Sequence, residues 1–127
     1  MLAVLDGNHR WRKRRRGVIV RTWHGWTTRE NADAYQQLVT TEVMPAIAAR
    51  DINGLRGPDL LRRDVDTGEV EFATIMLFDD WGAVKAFAGP SGRTAVLPES
   101  ARQLLQRYDN EAQNYDVAAL STNSPLN

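Results

Sequence analysis

Apolar and polar positions along this chain follow two rhythms, one of period two and one of period about 3.6. Val18 to Trp23 is rich in β-branched residues and runs up to Gly25, which predicts a strand. Alternation then sets Ile19, Arg21 and Trp23 on one face and Val18, Val20, Thr22 and His24 on the other, with Trp26 in the turn beyond Gly25. Thr27 or Thr28 offers a helix N-cap, and Glu30 suits the positive end of a helix. From Arg29 to Arg50 an apolar stripe of helical spacing takes in Ala34, Tyr35, Leu38, Val39, Val43, Ala46 and Ile47, interrupted at Glu42. Pro45 lies inside that stripe and predicts a kink near Met44.

The stretch DINGLRGP reads as loop from its Asn-Gly and Gly-Pro pairs. A second strand is expected from Asp59 to Asp64, a hairpin turn at DTGE, and a third strand from Val70 to Phe78. Both faces of that third strand become apolar in its second half, which predicts a central strand covered on both sides. Asp80 to Ala88 and Pro98 to Gln113 read as helices, the latter burying Ala101, Leu104, Leu105 and Tyr108. Asn114 to Leu120 reads as a closing strand. The order is β-α-β-β-α-β with the second helical region divided. That is the ferredoxin-like split βαβ arrangement of the α+β class, a four-stranded antiparallel sheet with helices on one face. The apolar outer face, with Ile75 and Leu77, then calls for a homodimer formed by stacking sheet on sheet.

Composition narrows the classes. A chain of 127 residues supports one domain with its own core. It contains no cysteine, so disulfides, thiolate metal sites and cysteine nucleophiles are excluded, and a reducing cytoplasm is the expected setting. No apolar run is long enough for a membrane span, and no signal-peptide core is evident. The net charge of zero hides an asymmetry. Six of the sixteen basic residues fall between Arg10 and Arg16, which leaves ten basic and fifteen acidic residues from Gly17 onward. Residues 1–17 are therefore expected to be a flexible basic extension, residues 18–120 the folded domain and residues 121–127 a flexible tail. A basic arm of this kind could contact nucleic acid, but no reading motif accompanies it, and a nucleic-acid partner is not expected.

VIVRTWHG, GPDLLRRDVDTGEVEFATIMLFDD, WGAVKAFAG and RYDNEAQNYDV together resemble the antibiotic biosynthesis monooxygenase-like family, over Val18 to Ala118. The resemblance implies a dimeric α+β barrel and oxygenation of a small aromatic, quinol-like or anthrone-like compound with no cofactor. An apolar pocket would deprotonate an electron-rich phenol or anthrone, and the resulting carbanion would meet dioxygen directly. In that reading His24 is the proton-transfer group, and Trp23, Tyr108, Asn114, Arg21, Phe78 and Trp81 shape the substrate site. Asn114 stands where many relatives carry histidine, and an amide is no base at neutral pH. Haem-degrading relatives use asparagine, tryptophan and histidine at positions that here hold Thr22 or Trp23, Phe78, and Val96 or Leu97. No histidine follows His24, so haem chemistry is not expected.

The residues taken alone keep plainer alternatives open. His24 could be a histidine in a turn, Trp81 a core residue and the Asp79-Asp80 pair a turn and helix cap. One body histidine builds no multi-histidine metal site, and no nucleophile elbow or phosphate loop is present. A mid-strand arginine such as Arg21 must reach water, meet an anionic substrate, or pair across the sheet with Glu71 or Asp116, and the pairing is the reading preferred here. A non-catalytic dimer that binds a small molecule, or serves a structural role, is the alternative to an enzyme.

Overall fold

The computed structural model describes residues 18–126, together with two two-residue strands, β1 (Val4–Leu5) and β2 (Trp11–Arg12), which pair antiparallel. Apart from that ladder, the basic extension expected over residues 1–17 lies outside the described residues, as does Asn127.

Strand β3 (Ile19–Thr28) carries the expected alternation without a break: Ile19, Arg21, Trp23, Gly25 and Thr27 are buried, while the residues between them are half-buried. The strand does not end at Gly25, and Trp26 belongs to it rather than to a turn. Gly25 serves close packing here. A Cβ at that position would lie 3.0 Å from a Leu105 methyl and 3.2 Å from the Trp23 ring. The Thr28 hydroxyl then accepts a hydrogen bond from the Asn31 amide and starts helix α1 (Arg29–Leu38), as the cap reading expected.

Pro45 neither ends nor sharply breaks the helix. The backbone widens into a π turn over Val39–Val43 and resumes as α2 (Met44–Ala49). Pro45 lacks an amide hydrogen, and the wider turn accommodates that gap, with Met44 N donating to the Val39 carbonyl. The Thr40 and Thr41 hydroxyls donate to the Gln36 and Gln37 carbonyls just before it. In an uninterrupted α-helix, residues four apart drift around the axis by about 40° per step. The π turn takes up that drift, so Tyr35, Val39, Val43 and Ile47 all face one cavity. The buried face is thus Ala32, Tyr35, Val39, Val43 and Ile47, whereas Ala34 and Ala46 of the expected stripe are exposed.

Strand β4 (Leu55–Asp64) begins four residues earlier than expected, so the second half of DINGLRGP is strand. The local signals were not wrong, because Gly57 and Pro58 sit where the register with β5 (Glu69–Phe78) shifts between Arg56 and Asp59. The DTGE turn closes as anticipated, with Gly68 at φ +85° donating to the Val65 carbonyl. Strand β5 is central, paired along its whole length with β3 and on its other edge with β4. Its inner face, Val70, Phe72, Met76 and Phe78, is buried with the helices, and Ala73, Ile75 and Leu77 on the outer face are half-buried.

Helix α3 (Trp81–Ala88) is capped by the Asp80 carboxylate, which accepts from the Ala83 amide at 2.8 Å. The long helix expected from Pro98 to Gln113 does not form. Only α4 (Glu99–Arg102) is helical, and the chain then returns to the sheet as β6 (Arg107–Tyr108) and β7 (Gln113–Asp116). The physical reason is the unpaired edge of β3, whose amides and carbonyls need partners. Gln106 N donates to the Trp26 carbonyl, Asp109 N to the His24 carbonyl, and Asn114 pairs with Arg21. The closing strand is correspondingly shorter than the expected Asn114 to Leu120. The order across the sheet is β4-β5-β3, with β6 and β7 sharing the last edge. This is the expected ferredoxin-like α+β topology, and the sheet remains open rather than closing on itself within one chain.

Among the described glycines Gly57 (φ +96°) is the most closely approached, since a Cβ there would lie 2.9 Å from the Ile75 carbonyl oxygen. Gly68 has a similar φ and nothing near it. Urea unfolding should therefore show Gly57→Ala costing about 3 kcal/mol and Gly68→Ala only about 1 kcal/mol. Equal losses would mean the close approach carries no weight.

Candidate functional site

A cavity of about 40 Å³ lies between the inner face of the sheet and the helices. Arg21, Trp23, Thr74 and Met76 line it from the sheet, Tyr35, Val39, Val43 and Ile47 from the helical arm, and Phe87, Val96 and Leu97 from the far side. Almost all of this wall is apolar. Two groups give it chemistry.

The first is Arg21, whose residue surface is only 4% exposed. Its guanidinium donates through one nitrogen to the Gly92 carbonyl and through another to the Thr94 carbonyl, both at 2.6 Å. It also lies 5.3 Å from the centre of the Phe87 ring. The expected cross-sheet ion pair is absent: among the described residues no carboxylate pairs with Arg21, and Glu71 pairs with Arg63 instead. The cause is the pleat. Glu71 lies opposite Trp26, on the outer face, and Arg21 points inward. Burial pushes the Arg21 pKa down to about 10, which still leaves it charged at neutral pH.

The second is Tyr35, fully buried against Phe72 with ring centres 4.8 Å apart. Its hydroxyl has no hydrogen-bond partner. Burial pushes the phenol up to about 12, so Tyr35 remains a neutral O–H donor throughout the physiological range. A charged guanidinium and a free donor in a low-dielectric pocket stabilise negative charge on a ligand oxygen far more strongly than they would in water.

The remaining sequence candidates divide by face. Trp23 lines the cavity and is held there by its indole N–H donating to the Asp109 carbonyl at 2.8 Å. Tyr108 sits behind it, ring centres 5.9 Å apart. Asn114 donates to the same Gly92 carbonyl that receives Arg21, and its own amide oxygen is buried without a partner. His24 is elsewhere. It points to the outer face, where its Nδ1 is 2.8 Å from an Asp109 carboxylate oxygen and its ring stacks on Trp26. It does not line the cavity. Phe78 is wholly buried against Phe87, and Trp81 is 42% exposed on the rim of an open groove that Asn114 also lines. The sequence reading passed over Tyr35 and Thr74 as site residues. The available signal was a hydroxyl on an otherwise apolar helix stripe, facing a threonine on the inner side of the central strand. Among the described residues, no group of three or more His, Asp or Glu side chains is placed to hold a metal ion, and no helix is long and apolar enough to cross a membrane.

No protein-family model matches the chain, and no curated protein does. Among solved structures it is similar to a Bacillus cereus protein described as a "Putative Antibiotic Biosynthesis Monooxygenase", with a TM-score of 0.57. The alignment covers 82% of this chain and 96% of that one, at 13% sequence identity. At that identity the likeness is one of fold. The chain thus has the ferredoxin-like architecture of that structure, with helices on one face of an antiparallel sheet and the candidate cavity between them.

Proposed function

We propose that the protein is a cofactor-independent monooxygenase acting on a small aromatic compound with an ionisable oxygen, of the phenol, quinol or anthrone kind. The observation that carries this reading is the buried Arg21 guanidinium, charged and without a carboxylate partner among the described residues, facing an apolar cavity. The shared fold with a structure described as a monooxygenase supports it. Arg21 and the Tyr35 hydroxyl would hold the substrate oxygen as its anion, lowering its pKa by favouring the charged form. The electron-rich ring carbon then attacks dioxygen. One oxygen atom stays on that carbon as a carbonyl and the other leaves as water, whose two hydrogens are the proton lost when the substrate ionises and the hydrogen of the attacked carbon; the O–O bond takes up the two electrons these release. A binding protein without catalysis is the alternative, and it shares every feature except oxygen consumption.

Oxygen-electrode assays with an anthrone and hydroquinone panel test the reading. Arg21→Gln should lower uptake about 100-fold, in the range of losing an oxyanion donor. His24→Ala should stay within about twofold of wild type, because His24 lies on the other face of the sheet. Loss of uptake in His24→Ala with Arg21→Gln active would reverse the assignment, and no uptake by the wild type across the panel would favour the binding protein.

Tyr35 adds a trade-off. A buried hydroxyl without a partner costs stability, so Tyr35→Phe should raise the unfolding free energy by about 1 kcal/mol. The same change should reduce turnover, because the free donor is gone. A variant both more stable and equally active would show the hydroxyl idle.

The dimer belongs to this reading too. Leu61 (49% exposed) and Tyr115 (54%) stand on the sheet beside the half-buried Ala73, Ile75 and Leu77, an apolar face suited to a second copy. Light scattering should give a dimer, and Ile75→Glu a folded monomer. A monomeric wild type at micromolar concentration would count against the interface.

A further inference from the structure

We propose that the cavity is only the head-group end of a longer site, and that the whole site takes an amphipathic monocarboxylate: acid group at Arg21, apolar body along the surface groove beside α2. This departs from the oxygenase reading in the group seated at Arg21, a carboxylate in place of a phenol or anthrone oxygen, and it concerns what is held rather than what reacts.

Size is the first argument. A cavity of about 40 Å³ accommodates roughly three waters at 10–15 Å³ each, which is the bulk of a three-atom carboxylate and well short of a ring. A second, open groove of about 500 Å³ runs beside it. The two share Val43, Ile47, Val96 and Leu97, so these four side chains stand where the groove and the cavity adjoin and touch both. The groove's other lining is Ala46 and Pro98, with Glu42, Arg50 and Ser100 as its polar members.

Charge sets the direction in which a ligand would lie. A buried cation normally carries an anion, and the described partners of Arg21 are two neutral carbonyls and the Phe87 ring, with no carboxylate. The guanidinium has five N–H donors in a planar fork suited to a carboxylate, and two of those donors are taken by the Gly92 and Thr94 carbonyls. Tyr35, from the helical arm that also lines the cavity, adds a neutral hydroxyl, buried and without a partner. The groove has a guanidinium of its own in Arg50, but that one is exposed and donates to the Ala86 carbonyl, so the buried end is where an anionic head gains most. Thr94 and Val96 lie two residues apart, so the segment that Arg21 pins is the one that also walls the groove.

Calorimetric titration with 2-naphthoate and with 2-naphthamide, which has nearly the same shape and a neutral head, tests the proposal. Wild-type protein should bind the acid at least tenfold more tightly than the amide. Arg21→Gln should remove that preference. Because Arg21 also anchors the backbone of residues 92–94, a second variant avoids it altogether: Ala46→Trp, on the exposed wall of the groove, should weaken 2-naphthoate at least tenfold in a protein of unchanged stability. Equal affinity for acid and amide, binding of neither at millimolar concentration, or full affinity in Ala46→Trp would each overturn the proposal. Oxygen plays no part in these readouts. A protein that binds 2-naphthoate as stated and consumes no oxygen on any substrate would overturn the oxygenase reading and leave this one standing.

Discussion

The Arg21 guanidinium is a full charge buried on the inner face of a sheet and answered by two backbone carbonyls. Desolvating such a group is expensive, and the bonds to Gly92 and Thr94 offset part of that cost only if the loop carrying them stays in place. The loop after α3 is therefore held to the sheet at the point where the chain would otherwise be free to wander. Asn114 donates to the same Gly92 carbonyl and sits opposite Arg21 in the β3–β7 register, which ties the last strand to the same point. One side chain thus fixes the connection, the closing strand and the charged end of the cavity together. The low dielectric that makes Arg21 costly is also what makes it effective toward a bound oxygen anion.

The opposite wall depends on a backbone irregularity. A proline within a helix usually ends or bends it, and here the chain passes it through one π turn. The consequence reaches beyond the local hydrogen bonds. Four residues spaced by four, Tyr35, Val39, Val43 and Ile47, come to face the same cavity, where an ordinary α-helix would have fanned them around its axis. Tyr35 thereby lines the same cavity as Arg21, and its buried hydroxyl pays for that position with a missing hydrogen bond.

Strand β3 sorts the conspicuous residues of the chain into two populations. Arg21 and Trp23 go inward; His24 and Trp26 go outward, with Asp109 and Arg107 laid against them. Asp109 serves both faces, its carbonyl holding the Trp23 indole and its carboxylate holding His24. The histidine is therefore well partnered without being part of the cavity. Around Trp26, Arg107 stacks at 3.9 Å and reaches Glu69, holding that carboxyl below its usual range through their hydrogen bond.

Period-two alternation was enough to assign the faces of β3 and β5, and the order of elements was enough for the ferredoxin-like topology, because both follow from local geometry and short connections. The helix cap at Thr28, the DTGE turn and the Asp80 cap were legible for the same reason. The candidate site was legible only in part: Arg21 and Trp23 stood out as residues, but the partners of Arg21 lie 71 and 73 positions away, and no local pattern selects two backbone carbonyls over Glu71. Ala101, Leu104, Leu105 and Tyr108 have helical spacing, yet that segment leaves the helix after Arg102 because the bare edge of β3 offers its backbone better partners. The sequence by itself determined which residues could face one another. Whether they did was decided by tertiary structure, since burial, edge pairing and the π turn are set by what else is packed nearby, and that is a property of the whole fold.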